Sequence, residues 1–317
     1  DKEVILLAPT GVASKRMMQA INSDKVSGSG EVQVSSTIHR MLAENTGSGY
    51  FENKIFVIDE SSMIDTVLAT SLLSKVGRNC HLIFVGDIDQ IPPVGIGQVM
   101  KDLIKYGKIP TARLENIHRT SEDSILPDIA KMIKEGRFPR KFGTIEDEYC
   151  FIPCKNENET FLKIEEVLIK LLSDKKYKKS DIQLITPQNK KGVCSVESIN
   201  NRFRWLLNED IEISEYDFNL KHFADQKGFN NGDRVINTKN NYDLDIFNGE
   251  MGIVQGVSNE NKSFFLEKDD KLSDVYIEGK DFFYFNLAYA ITIHKSQGCE
   301  FPVLIIPLSS SHTFTWN

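Results

Sequence analysis

Three short apolar runs, rich in β-branched residues, constrain the fold of this 317-residue chain more than any other feature. Val4-Ile5-Leu6-Leu7-Ala8 stops at Pro9-Thr10-Gly11, Ile55-Phe56-Val57-Ile58 stops at Asp59-Glu60, and Leu82-Ile83-Phe84-Val85 stops at Gly86-Asp87. Runs of this length without polar alternation read as strands buried on both faces, the texture of a parallel sheet covered by helices. Helical patterns between them, Val12 to Ile21 and Val67 to Val76, supply the crossovers that parallel strands need. Ligands of such sheets bind beyond the carboxyl ends of the strands, where all three polar turns fall.

A second α/β block follows. Helices are expected over 121–135, with Ile125, Ile129, Met132 and Ile133 on one face, and over Phe161–Leu172. Strands are expected at Ile182–Thr186, stopped by Pro187, and at Val303–Ile306. Between 228 and 284 the pattern changes to short strands punctuated by Gly232-Asp233, Asn240-Asn241, Asn248-Gly249 and Asn259-Glu260-Asn261, which predicts a small all-β insert within the second block. The lysine-rich stretch 175–179 lies between a helix and a strand; a solvated helix end suits it better than a nucleic-acid contact.

Hydrophobic residues make up 40% and charged residues 26%, which excludes disordered and fibrous classes. The net charge of -7 argues against a binder that coats nucleic acid through bulk basic charge, and leaves room for a local basic groove. The apolar runs fall far short of the roughly 20 residues that span a bilayer, and Asp1-Lys2-Glu3 leads straight into a strand, so a cytoplasmic protein without a membrane partner is expected. The five cysteines, Cys80, Cys150, Cys154, Cys194 and Cys299, lack zinc-site spacing and are expected to be reduced thiols.

Asp59-Glu60 at a strand end suits Mg²⁺, which takes hard oxygen ligands and keeps several waters; Glu60 is placed to orient an attacking water. A solvated acidic turn is the competing reading. The string Gly86-Asp87-Ile88-Asp89-Gln90-Ile91-Pro92-Pro93-Val94-Gly95-Ile96-Gly97 requires a defined backbone path, and Gln90 offers a neutral amide able to sense a phosphate or a water.

With these strings in view the chain resembles the RecD/TraA-type superfamily 1B DNA helicases, the family of the exodeoxyribonuclease V alpha subunit. Ala8-Pro9-Thr10-Gly11-Val12-Ala13-Ser14-Lys15-Arg16-Met17 resembles motif Ia, Ser36-Thr37-Ile38-His39-Arg40-Met41-Leu42 motif Ib, and Asp59-Glu60-Ser61-Ser62-Met63-Ile64-Asp65 motif II. The Gly86–Gly97 string and 99–104 resemble motif III, Leu114-Glu115-Asn116-Ile117-His118-Arg119 motif IV, and 288–301, with His294-Lys295-Ser296-Gln297-Gly298, motif V.

The resemblance implies two RecA-like P-loop NTPase lobes and an SH3-like insert. Domain 1A would cover 1–113, with a short 1B pin within 43–54; domain 2A would cover 114–227 and 285–317; domain 2B would cover 228–284. It implies ATP and Mg²⁺ as cofactors, with Asp59 on the metal, Glu60 as the catalytic carboxylate, Gln90 coupling the γ-phosphate to the DNA site, and Arg119 placing charge on the transferred phosphoryl group. Gly298 and Glu300 would lie on the nucleotide. Pro9, Thr10, His39, Asn241, Thr292 and His294 would line a track for single-stranded DNA. Core or capping roles remain open for His39 and His294, and a purely structural role for Asn241.

The activity implied is ATP-dependent 5′→3′ translocation and unwinding, on single-stranded DNA and single/double-strand junctions, with other recombination or conjugation subunits as further partners. A P-loop string Gly-x-x-x-x-Gly-Lys-Ser/Thr is absent from the 317 residues, and so is a recognisable motif VI. The expectation is therefore an internal fragment of a helicase, inactive alone in ATP hydrolysis and exposing one edge of its first sheet. A non-catalytic DNA-binding or scaffold module of the same shape is the alternative.

Overall fold

A computed structural model describes residues 2–23, 32–45, 47, 49–114, 123–137, 143–174, 176–210, 228–269 and 274–309. They form two compact units. Unit 1 contains 1–110, 235–286 and 294–300; unit 2 contains 111–234, 287–293 and 301–317.

The first sheet of unit 1 is built from β1 (Glu3–Ala8), β2 (Val32–Thr37), β3 (Lys54–Ile58) and β4 (His81–Phe84), in the order β2-β1-β3-β4 with every neighbouring pair parallel. Around it lie α1 (Gly11–Ser23), α2 (Ile38–Glu44), α3 (Thr66–Leu73) and α4 (Val99–Tyr106). Polar side chains fix where these helices begin: Thr37 Oγ1 accepts from Arg40 N at 3.1 Å to cap α2, and Asp65 Oδ1 accepts from Leu68 N at 2.7 Å to cap α3. Leu7, Ile38, Phe56, Ile58, Ile64 and Leu72 are almost wholly buried and form the core of this layer.

Burial on both faces, expected of three strands, holds for β1 and β3 and fails for β4. In β4 alternate residues face outward, and Ile83 is 49% exposed. β4 is also an edge of the sheet, and no further strand pairs with it among the described residues.

The chain continues through α5 (Leu126–Lys134), α6 (Glu157–Ser173), β5 (Ile182–Thr186) and α7 (Val196–Leu207) in unit 2. Asn156 Oδ1 caps α6 by accepting from Glu159 N at 2.9 Å, and Glu157 and Glu159 in the first turn favour the positive end of the helix dipole. The small parallel sheet of this unit has the order β11-β5-β12, with β11 at Ala290–Thr292 and β12 at Val303–Ile305. Leu168, Leu184, Ile199, Phe203 and Leu206 pack its core.

The all-β insert is present as a five-stranded sheet, order β10-β6-β7-β8-β9, from β6 (Arg234–Asn237), β7 (Met251–Ser258), β8 (Ser263–Lys268), β9 (Asp274–Glu278) and β10 (Phe285–Leu287). Its meander β7-β8-β9 is antiparallel, and a bulge after Gln255 places Gly256 in the left-handed region at φ 57°. Most of the insert belongs to unit 1, although its chain interrupts the second block in sequence.

All five cysteines are free, and burial pushes the Cys194 thiol up to about 12. Among the described residues no helix is long and apolar enough to cross a membrane.

Candidate nucleotide and nucleic-acid site

The register of the first sheet decides which residues meet. Ala8 pairs with Thr37, Leu7 with Ile58, and Ile58 with Phe84, so the four parallel strands end together. Their next residues therefore share one edge of unit 1: Pro9 and Thr10 after β1, His39 just after β2, Asp59 and Glu60 after β3, and the 86–97 loop after β4. This is the edge at which open α/β sheets hold ligands.

Backbone bonds lock the acidic turn to its neighbours. Asp59 N donates to Leu7 O at 2.9 Å, Ser61 N to Val85 O at 2.8 Å, and Ser61 Oγ to Ile58 O at 2.6 Å. Glu60 stands at φ 50°, in the left-handed region, and its amide donates to Asp59 Oδ1 at 2.9 Å. A non-glycine residue there costs about 1–2 kcal/mol and persists only where its surroundings impose it, as happens at functional sites. Ser62 Oγ, two residues on, is buried with no hydrogen-bond partner among the described residues.

The 86–97 loop is pinned at both ends to the same turn. A Cβ on Gly86 would come within 3.0 Å of Ser61 N and Ser62 N, and one on Gly95 would clash with the Asp65 carboxylate. Thr66 N donates to Ile96 O at 2.9 Å. Between these anchors Asp87 Oδ1 accepts from Asp89 N at 2.9 Å, and Gln90 is left exposed at the tip. The loop that carries Gln90 is thus anchored next to the Asp59-Glu60 turn.

Residues 294–300 pack on this unit too. Arg16 of α1 donates to Gly298 O, and Gln297 Nε2 donates to Ile91 O in the 86–97 loop at 3.3 Å. Gly298 has φ 74° and Glu300 is exposed. Burial lowers the pKa of Lys295 in the same segment. His39 and His294 are both exposed, so neither is a core histidine. Thr10 lies half-buried with Oγ1 accepting from Ala13 N at 3.2 Å, which makes it the cap of α1 as well as an edge residue.

Other candidates fall elsewhere. Thr292 ends β11 in unit 2. Asn241 uses its side chain inside the insert, where Oδ1 accepts from Asp243 N and Leu244 N at 3.1 and 3.2 Å and Nδ2 donates to Asp281 at 3.1 Å. Arg119 lies outside the described residues, as do Thr46 and Ser48 of the expected pin.

The donor chemistry suits a hard divalent cation held in part by a phosphate. Asp59 and Glu60 supply carboxylates, the hard oxygen ligands that Mg²⁺ takes in ones or twos beside substrate oxygens and water. Among the described residues no cluster of three or more His, Cys, Asp or Glu is placed to enclose a metal ion.

Residues 1–153 match the AAA domain family, and residues 199–267 match the family described as the ATP-dependent RecD-like DNA helicase SH3 domain. The chain is 27% identical over 324 residues to the ATP-dependent RecD2 DNA helicase of Deinococcus radiodurans, an alignment covering 98% of this chain and 39% of that protein. It is 27% identical over 363 residues to the RecBCD enzyme subunit RecD of Buchnera aphidicola, covering 94% of this chain and 59% of that one. The chain thus spans less than two thirds of the length of these relatives. In fold it resembles a Pif1 helicase from a structure addressing DNA unwinding at forked double-stranded DNA, with TM-score 0.51 and 18% identity over 96% of this chain and 75% of that one.

Proposed function

From its similarity to RecD-like helicases, we propose that this chain is the core of an ATP-dependent DNA helicase that moves 5′→3′ along single-stranded DNA. The observation that carries the reading is the shared edge of unit 1, where Thr10, His39, Asp59, Glu60 and the Gln90 loop end up together, with Glu60 held in a costly backbone conformation.

Mg-ATP, when bound, supplies the phosphoryl group whose transfer to water drives the motor. Asp59 would hold the cation through its carboxylate, and Glu60 would orient the attacking water and take its proton. Gln90, on the loop pinned to Ser61 and Thr66, would relay the state of the nucleotide to the strand track. Arg119 would stabilise charge on the transferred group, and Gly298 and Glu300 would border the nucleotide. Thr10, Pro9, His39, Thr292 and His294 would contact the strand through phosphates and sugars, reading no sequence.

The phosphate-cradling loop of such a motor does not occur in these 317 residues. The chain by itself is therefore expected to bind DNA without turning over ATP at a helicase rate.

Oligothymidine binding to the purified chain, followed by fluorescence anisotropy at several salt concentrations, tests the track. The affinity should fall as salt rises, with a log–log slope of about -0.7 per phosphate contacted. Absence of binding at low salt, or binding indifferent to salt, would rule the track out.

A further inference from the structure

The insert makes three contacts with the start of α1 and with α2, all inside unit 1. Phe247 lies on Gly11, the first residue of α1: a Cβ there would clash with Phe247 Cβ and Cγ, so only glycine fits while the ring is in place. Lys15 Nζ, one turn along α1, donates to Glu250 Oε1 at 2.7 Å, with both side chains largely buried. The Arg40 guanidinium of α2 sits 5.3 Å from the centre of the Tyr242 ring.

Glu250 ties these parts together. Its Oε2 accepts from Phe247 N at 3.0 Å, which fixes the backbone beneath the ring, and its Oε1 also faces the buried Lys268 ammonium at 3.7 Å. Lys268 donates in turn to Asp245 O at 2.8 Å. Without the carboxylate, the buried Lys268 ammonium would lose its ion-pair partner among the described residues.

What is held in this way is the first turn of α1, and Thr10 is part of it. Thr10 Oγ1 accepts from Ala13 N at 3.2 Å and Thr10 O from Ser14 N at 3.1 Å, so Thr10 cannot shift without that turn.

We propose that the 240–250 loop of the insert is a clamp on the start of α1, with Phe247 and Glu250 as positioning residues that fix Thr10 for the single strand. The insert, carried in sequence by the second block, then works mechanically as part of the first. The consequence for DNA rests on the strand-track reading above; the clamp itself does not.

Two measurements on the same variants separate these claims. Hydrogen exchange of the amides of Ala13–Arg16 reports the clamp directly. Gly11→Ala attacks it from the helix side, and Phe247→Ala from the insert side. Both should speed that exchange about tenfold or more. Amides of β7 and β8 should keep their protection, which shows that the insert is still folded. Lys15→Met should act in the same direction, and Lys15→Arg should restore wild-type exchange.

Oligothymidine affinity should fall roughly five- to tenfold in Gly11→Ala and Phe247→Ala with the salt slope unchanged, because neither variant removes a charge. Wild-type exchange at Ala13–Arg16 in both variants would overturn the clamp. Faster exchange with wild-type affinity would overturn the positioning of Thr10. Faster exchange in a protein whose wild type does not bind oligothymidine would sustain the clamp and dismiss the track.

Discussion

The most severe single perturbation the structure offers in unit 2 is removal of the Asp233 carboxylate. Asp233 is fully buried and Arg204 nearly so. Oδ1 accepts from Arg204 Nε at 3.0 Å, Tyr289 Oη at 2.8 Å and Asn208 Nδ2 at 3.0 Å; Oδ2 accepts from Asn230 N at 2.7 Å and from the Arg204 guanidinium. Asp233→Ala leaves a guanidinium in the interior without its counter-ion, a loss of about 3–5 kcal/mol. The orphaned Tyr289 hydroxyl and Asn208 amide push the cost toward the upper end.

A typical domain has about 5–15 kcal/mol in total, so the variant should lose a large share of the stability of unit 2. The assay is urea unfolding followed by fluorescence of Trp205, which lies on α7 beside Arg204, in a Trp316→Phe background. Adding Arg204→Met to Asp233→Ala should recover part of the loss, because the uncompensated charge goes with it. A cost below about 1 kcal/mol for Asp233→Ala, or a double variant less stable than the single one, would refute the idea that this pair is an integral buried ion pair.

Two further outcomes follow from the geometry. Glu60→Gly should raise the urea midpoint of unit 1 by the equivalent of about 1 kcal/mol, since glycine tolerates φ 50° and glutamate does not; Glu60→Gln should leave it unchanged. Unit 2 should lose stability in alkali. Burial, then Asp233, holds the Tyr289 phenol well above its usual value, and burial pushes the Cys194 thiol up to about 12. Both groups keep their protons in the folded state at a pH where the unfolded chain has released them. Their stabilisation is therefore complete below about pH 8 and declines above it, first through the thiol and then, nearer pH 10, through the phenol. Urea midpoints at about pH 8 and pH 10.5 check this, and Tyr289→Phe should flatten the decline.

Much of the site was legible because burial on two faces forces unalternating apolar runs, and a parallel sheet places the residues after those runs on one edge. Thr10, Asp59, Glu60 and the Gln90 loop all directly follow such runs in the sequence. The same pattern does not mark β2, where four of the six residues Val32-Gln33-Val34-Ser35-Ser36-Thr37 are polar, and it overstates the burial of β4, since nothing in Leu82–Val85 announces an edge. The left-handed conformation of Glu60 has no local signature. The Lys15–Glu250 pair joins residues 235 positions apart, so the grouping of the insert with unit 1 could not be read from spacing. Asn241 shows the opposite limit: its asparagine-rich turn was visible, and the turn itself consumes the side chain.

The central claim is that the Asp59-Glu60 turn performs phosphoryl transfer coupled to single-stranded DNA. The direct measurement is ATP turnover stimulated by oligothymidine, in a protein that joins these 317 residues to a phosphate-binding loop, comparing wild type with Glu60→Gln. The account predicts a fall of about 10²–10⁴ in turnover with oligothymidine affinity preserved. DNA-stimulated turnover in Glu60→Gln equal to wild type would contradict it.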